Sequence, residues 1–177
     1  RMHSEYRFLL DKANNDRSVG AIVVSGEGDS FCVGGDSQAL QGHSARGSYD
    51  SGVSSDIALP GYGIDERFDA TFAYHYGLNK PIIAAINGAA AGVGLALAAF
   101  ADIRFAVPKA KLTTAHGKLN LPAEYGLSWV LPRIVGLGRA NDLLLTSRVF
   151  LSEEAEKIGF VNQLFSSEQL LHEACLL

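Results

Sequence analysis

The sequence predicts an α/β domain, and three observations carry that prediction. Lys80 to Val107 reads as strand, glycine turn, apolar helix and strand. A strand–turn–helix order also occurs earlier, over residues 19–40. Helical periodicity marks further segments on either side, among them residues 3–14 and Arg139 to Thr146.

The central stretch is the most informative. Ile82 to Ile86 is a short apolar run after Pro81, as expected of a strand buried on both faces. Asn87-Gly88 breaks it. Gly92 and Gly94 bracket Val93 at the start of a helix of Ala and Leu that stops near Ala101, and Asp102 to Val107 resumes as a strand. A helix that is apolar all round must be buried. Its first amides then lie inside the protein with partial positive charge and no polar cap. Such an end is suited to a negative oxygen. Two plainer readings exist. Ile82 to Ala101 has no charge over twenty residues, the length of a membrane span. Asn87, three glycines and the strand-like first third argue against that. An ordinary core helix, with glycine for close packing, stays open on composition alone.

The remaining elements follow in order. Met2, Tyr6, Leu9, Leu10 and Ala13 line one face of the first helix, which Asn14-Asn15-Asp16 ends. Val19 to Ser25 is a strand, residues 26–30 a turn, and Phe31 to Val33 a second extended piece. Asp36 is placed to cap a brief helix through Leu40. Residues 41–63 are a long Gly/Ser/Asp-rich loop, a kind usually functional or mobile. Residues 65–76 are predicted helical, with Phe68, Phe72 and Tyr76 on one face. Lys111 to Thr114 is extended and residues 117–122 are irregular. A helix is expected from Ala123 or Glu124 through Leu131, with Pro132 interrupting it. Ser152 is expected to cap a helix ending at Gly159. Residues 161–165 are a strand, and Ser166 or Ser167 caps a last helix.

Composition narrows the function classes. With 177 residues, 47% hydrophobic and 19% charged, the chain is one globular domain over residues 1–177. A net charge of −4 without a basic block does not indicate nucleic acid, and no membrane partner is expected. Cys32 and Cys175 are too few for a disulfide framework, so a reducing, cytoplasmic setting is the default. Residues 1–5 contain no apolar leader core. The five histidines are scattered, and no metal site is expected.

Three blocks together resemble the enoyl-CoA hydratase/isomerase (crotonase) superfamily. They are residues 80–106, KPIIAAINGAAAGVGLALAAFADIRFA; residues 21–36, AIVVSGEGDSFCVGGD; and residues 131–136, LPRIVG, with the stretch 140–161 that follows. They occur in the family's order and spacing over nearly the whole chain. The resemblance implies a spiral of strand–strand–helix units with helices around it. It also implies that parts of the family's pattern precede Arg1 and follow Leu177, including most of its C-terminal helices. CoA would enter as part of the substrate, with no separate cofactor, and a full-length protein would be a homotrimer or hexamer.

The resemblance also carries roles. The amides of Gly35 and Val93 match the positions that grip the thioester carbonyl oxygen of an acyl-CoA. Deprotonation beside a thioester makes an enolate, and fixed amides aimed at that oxygen lower the barrier by about 3 kcal/mol per donor. The alternative is two tight turns needed only for packing. The family's hydratases use two glutamates, which align here with Ala96 and His116, so both are absent. Water addition needs one group to take a proton and another to supply one, so double-bond migration is better supported than hydration. A third family position, a single carboxylate, falls at Glu124. Glu124 is the only acid between Asp102 and Asp142 and lies among Leu121, Pro122, Ala123 and Leu127. Desolvation there would raise its pKa towards that of a useful base; a plain preference for a helix N-terminus is the alternative. His116 is a further catalytic candidate, though a pocket-lining or core histidine is the preferred reading. Cys32, Val33, Gly35, Asp36, Gly92, Val93, Phe68, Phe72 and Trp129 are the substrate-binding candidates. An aromatic stripe is also ordinarily core. A family hydrolase or lyase using Glu124 with His116, and a non-catalytic homologue that binds without turnover, remain alternatives. A serine peptidase of the related spiral fold would need a nucleophile at Gly92-Val93-Gly94, where there is none.

Overall fold

The computed structural model describes residues 2–35, 72–123 and 125–177. The expected helix after Asp36, the loop over 41–63 and the helix over 65–71 lie outside the described residues. Helix α1 (Met2–Asn15) is followed by β1 (Ile22–Ser25) and β2 (Ser30–Cys32). A 3-10 turn at Ala73–Gly77 precedes β3 (Ile82–Ile86), β4 (Ala89–Ala91) and α2 (Val93–Ala99). Then come β5 (Ile103–Ala106), β6 (Lys111–Thr113) and a 3-10 turn at His116–Leu119. The chain continues through α3 (Leu127–Val135), α4 (Leu137–Thr146), β7 (Phe150–Leu151), α5 (Ser152–Lys157), β8 (Gln163–Leu164) and α6 (Leu170–Leu176).

The strands form two sheets, ordered β1-β3-β5-β8 and β2-β4-β6-β7. The first is parallel throughout, and in the second only the β6–β7 pair is antiparallel. Each turn of the chain places one strand in each sheet, which is the spiral the resemblance implies. Asn87 ties neighbouring turns together: its Oδ1 accepts the Gly26 amide at 3.0 Å and its Nδ2 donates to the Gly28 carbonyl at 2.8 Å.

The apolar run of β3 follows from burial on two faces. Ile82, Ala84 and Ile86 point into the main core with α2, while Ile83 and Ala85 meet Phe105, Leu170 and Ala174 on the side that α6 covers. A strand so covered has no solvent face and hence no alternation. Full burial of each isoleucine is worth about 1.5–3 kcal/mol. Among the described residues no helix is long and apolar enough to cross a membrane.

Several expectations are corrected. Ala89 to Ala91, read as part of the glycine turn, is a strand pairing with both β2 and β6; three alanines carry no alternation to announce it. At the described end of the predicted 65–76 helix, Phe72 is left-handed (φ 59°) and a 3-10 turn follows. Phe72 is wholly buried and Tyr76 exposed, so they do not share a face. Helix α3 starts at Leu127, after the left-handed Tyr125 and Gly126, and continues through Pro132. Pro132 accepts the Gly136 amide at 3.1 Å through its carbonyl, and its missing N–H removes one donor from the helix. Ser152 makes no cap bond on its own helix; its hydroxyl accepts the Ala110 amide at 3.2 Å. The last helix starts at Leu170, beyond the expected Ser166 or Ser167, where Ser166 instead closes a turn onto Gln169.

Candidate active site

The site is built from two backbone segments pressed together. Cys32, the last residue of β2, is the partner of Ala90 in β4. Two residues into α2, Gly94 lies against the end of β2: a Cβ on Gly94 would sit 1.9 Å from the Cys32 carbonyl oxygen. No side chain fits that approach. A Cβ on Gly34 would in turn lie 3.6 Å from the Ala91 carbonyl. Residues 32–35 therefore run beside residues 91–94.

The entry to α2 is held from behind. Gly92 (φ 54°) donates its amide to the Thr113 carbonyl at 3.1 Å, and its own carbonyl accepts the Ala96 amide at 3.0 Å as the first bond of the helix. The amides of Val93 and Gly35 meet no acceptor among the described residues. Val93 is buried, whereas Gly35 is exposed. Cys32 is a half-buried free thiol, and Val33 is exposed.

The other candidates fall in different places. Asp36, Phe68 and Glu124 lie outside the described residues. Ala96 is wholly enclosed in the core. His116 is buried and opens a 3-10 turn behind the left-handed Ala115, whose methyl carbon would lie 3.9 Å from a Cβ on Gly92. The chain entering the His116 turn thus lies against the α2 entry. Phe72 sits in the core, 5.7 Å from Tyr125 and 6.4 Å from Phe100 between ring centres. Trp129 is half exposed, edge-on to Tyr76 at 5.9 Å, with the Arg133 guanidinium 3.9 Å from its ring centre. Among the described residues no three His, Cys, Asp or Glu side chains are grouped to hold a metal ion.

Sequence reasoning missed the support of this site. Thr113, Thr114 and Ser147 join β6, the His116 turn and the end of α4 through hydroxyl bonds. The one signal was polar residues at the ends of apolar elements, with partners some thirty positions apart. An open groove of about 340 Å³, lined by His75, Tyr76, Leu78, Asn79, Lys80, Pro81 and Asp102, lies elsewhere, where β3 and β5 begin. Its charges are engaged with backbone. Lys80 Nζ donates to the carbonyls of Ala13 and Asp16 at the end of α1, and Asp102 accepts the Ile82 amide at 2.8 Å.

The family model for enoyl-CoA hydratase/isomerase matches residues 1–177. The chain belongs to the enoyl-CoA hydratase/isomerase family. It is 38% identical over 169 residues to a probable enoyl-CoA hydratase, echA12, of Mycobacterium tuberculosis, covering 94% of this chain and 56% of that protein. It is 31% identical over 173 residues to the 1,2-epoxyphenylacetyl-CoA isomerase of Escherichia coli, covering 98% of this chain and 63% of that protein. Among solved structures, an enoyl-CoA hydratase/isomerase family protein from Hyphomonas neptunium aligns with a TM-score of 0.81 at 30% identity, covering 99% of this chain and 63% of that one. The fold is thus the crotonase fold, and this family member spans less than two thirds of the length of those relatives. Hydratases and isomerases both occur among them, so family membership leaves the reaction open.

Proposed function

We propose that the protein acts on enoyl-CoA thioesters, holding the thioester oxygen between the amides of Gly35 and Val93 and moving a double bond with Glu124 as the base. The observation that carries the reading is the close approach of Gly94 to the Cys32 carbonyl, which keeps the Gly34-Gly35 turn beside Gly92-Val93. In this scheme Glu124 takes a proton from the saturated carbon next to the conjugated system. The electron pair moves onto the thioester oxygen, giving an enolate. As the enolate collapses, Glu124 returns the proton to a different carbon of the conjugated system. Each amide donor contributes about 3 kcal/mol to the transition state.

Migration is favoured over hydration because a wholly buried alanine, Ala96, and His116 stand where the resemblance puts the two hydratase glutamates. Cys32, Val33, Asp36 and Gly92 would line the thioester, with Phe68 and Trp129 towards the acyl chain, whereas Phe72, wholly buried against Phe100, packs the core instead. CoA is the carrier on the substrate, and no separate cofactor takes part. The protein would work in the cytoplasm as a homotrimer or a pair of trimers.

The test is exchange of the α-protons of a saturated acyl-CoA with solvent deuterium. This needs only a base and an oxyanion site, so the true acyl group need not be known. Native protein is expected to exchange, and Glu124→Gln is expected to lose exchange by about 100-fold or more. Full exchange in the variant would remove Glu124 as the base. Acyl-CoA binding without exchange in native protein would favour a non-catalytic homologue.

A further inference from the structure

We infer that Ser147 is a positioning residue for the α2 entry and for the His116 turn, an inference that rests on the oxyanion reading of Gly35 and Val93. Ser147 ends α4 in a left-handed conformation, φ 46° and ψ 32°, and its side chain is wholly buried. Glycine suits such a helix end better, since any Cβ is strained there. A buried hydroxyl is a second disadvantage unless it is fully bonded. The local rules thus disfavour serine twice, and such conflicts concentrate where function demands them.

The bonds of Ser147 indicate what the hydroxyl does. Its Oγ accepts the Gly117 amide at 2.8 Å and lies 3.0 Å from Thr114 Oγ1. Thr114 Oγ1 donates to the Leu143 carbonyl at 2.9 Å, and Ser147 Oγ also lies 3.5 Å from the Leu144 carbonyl. The Ser147 carbonyl accepts the Thr113 hydroxyl at 3.1 Å. The Thr113 carbonyl then accepts the Gly92 amide at 3.1 Å, one residue before Val93. Two routes therefore leave Ser147. One runs from its backbone carbonyl through Thr113 to the α2 entry, which the hydroxyl reaches only through Thr114, the neighbour of Thr113, and the other runs from the hydroxyl through Gly117 to His116. The second route is close packed, since a Cβ on Gly117 would lie 2.9 Å from Ser147 Oγ. Both threonine positions are at the end of β6, so a shift at Ser147 moves them together.

The test compares Ser147→Gly with Ser147→Ala. Both delete the hydroxyl, but only glycine relieves the left-handed strain, so the two variants should differ in thermal stability. Both are expected to lower saturated α-proton exchange of an acyl-CoA about tenfold with its half-saturation concentration unchanged, the effect of a misaligned donor. In ¹⁵N-labelled protein the amide resonances of Gly92, Val93 and Gly117 should shift in both. Native exchange by Ser147→Gly, or losses that track the unfolded fraction, would overturn the role. Unmoved Gly92 and Val93 resonances would overturn the coupling. If native protein itself shows no exchange, the proposed reaction fails separately, and the amide resonances decide the coupling alone.

Discussion

The two ends of α2 are built in opposite ways. At its N-terminal end Gly92, Val93 and Gly94 bring backbone against backbone, with the Gly92 amide bonded to the Thr113 carbonyl. At its C-terminal end Phe100 meets the rings of Phe72, His75 and Tyr76 at 5.5–6.4 Å between centres. There the polar groups are enclosed: His75 Nε2 and the Tyr6 hydroxyl share a hydrogen bond of 2.9 Å. The helix dipole favours a cation at this end, yet burial pushes the His75 pKa down to about 4, against the weaker opposing pulls of the Phe100 carbonyl and Asp102. Desolvation is therefore the largest influence on this ring. One end carries the amides proposed as donors, and the other keeps a titratable ring neutral within the packing.

The largest expected effect breaks the first end. Gly94→Ala would drive a methyl into the Cys32 carbonyl, and either β2 or α2 must move. Denaturant unfolding should report a loss of about 3 kcal/mol, and α-proton exchange should fall by about 100-fold or more. Native values for both would mean that the close approach does not hold the two turns together.

The second end is probed by acid. His75 is neutral in the fold, with a folded pKa below its unfolded value near 6.5. Below pH 6.5 the unfolded chain binds the proton that the folded chain refuses, so stability falls as pH drops from about 6.5 to 4. The loss attributable to this ring is on the order of 3 kcal/mol. Unfolding curves across that range, with His75→Gln as the reference, should show a shallower acid slope in the variant. An equal slope would place the acid sensitivity elsewhere.

The smallest expected effect comes from an exposed contact remote from both ends. Arg148 bridges Asp142 at 2.8 Å and Glu154 at 2.5 Å, tying α4 to α5. Arg148→Ala should alter stability by about 0.5 kcal/mol, less in high salt, and leave exchange at its native rate. A change above about 2 kcal/mol would contradict the ranking of buried over exposed contacts.

What the sequence revealed divides along the same line. The α2 entry could be read in advance because it depends on residues adjacent in the chain: Gly92 and Gly94 around Val93, then alanine and leucine without a polar position. The apolar run of β3 was equally plain, since a strand covered on both faces has one composition. The other end of α2 was harder to read. Phe72 and Tyr76 have helical spacing, but Phe72 turns left-handed to reach Phe100, and packing overrides the local period. β4 escaped notice because its three alanines are specified by neighbours in β2 and β6. The Ser147 network joins residues some thirty positions apart, and Ser152 spends its hydroxyl on another segment, so no local pattern marks either. Glu124 was reached by resemblance alone and lies outside the described residues.

The most direct measurement is the infrared carbonyl stretch of an acyl-CoA carrying ¹³C at the thioester carbon, free and bound to the protein. Amides of Gly35 and Val93 aimed at the oxygen should polarise the bond and lower its frequency on binding. A saturated complex in which the stretch stays at its solution value would contradict a backbone oxyanion site at the α2 entry.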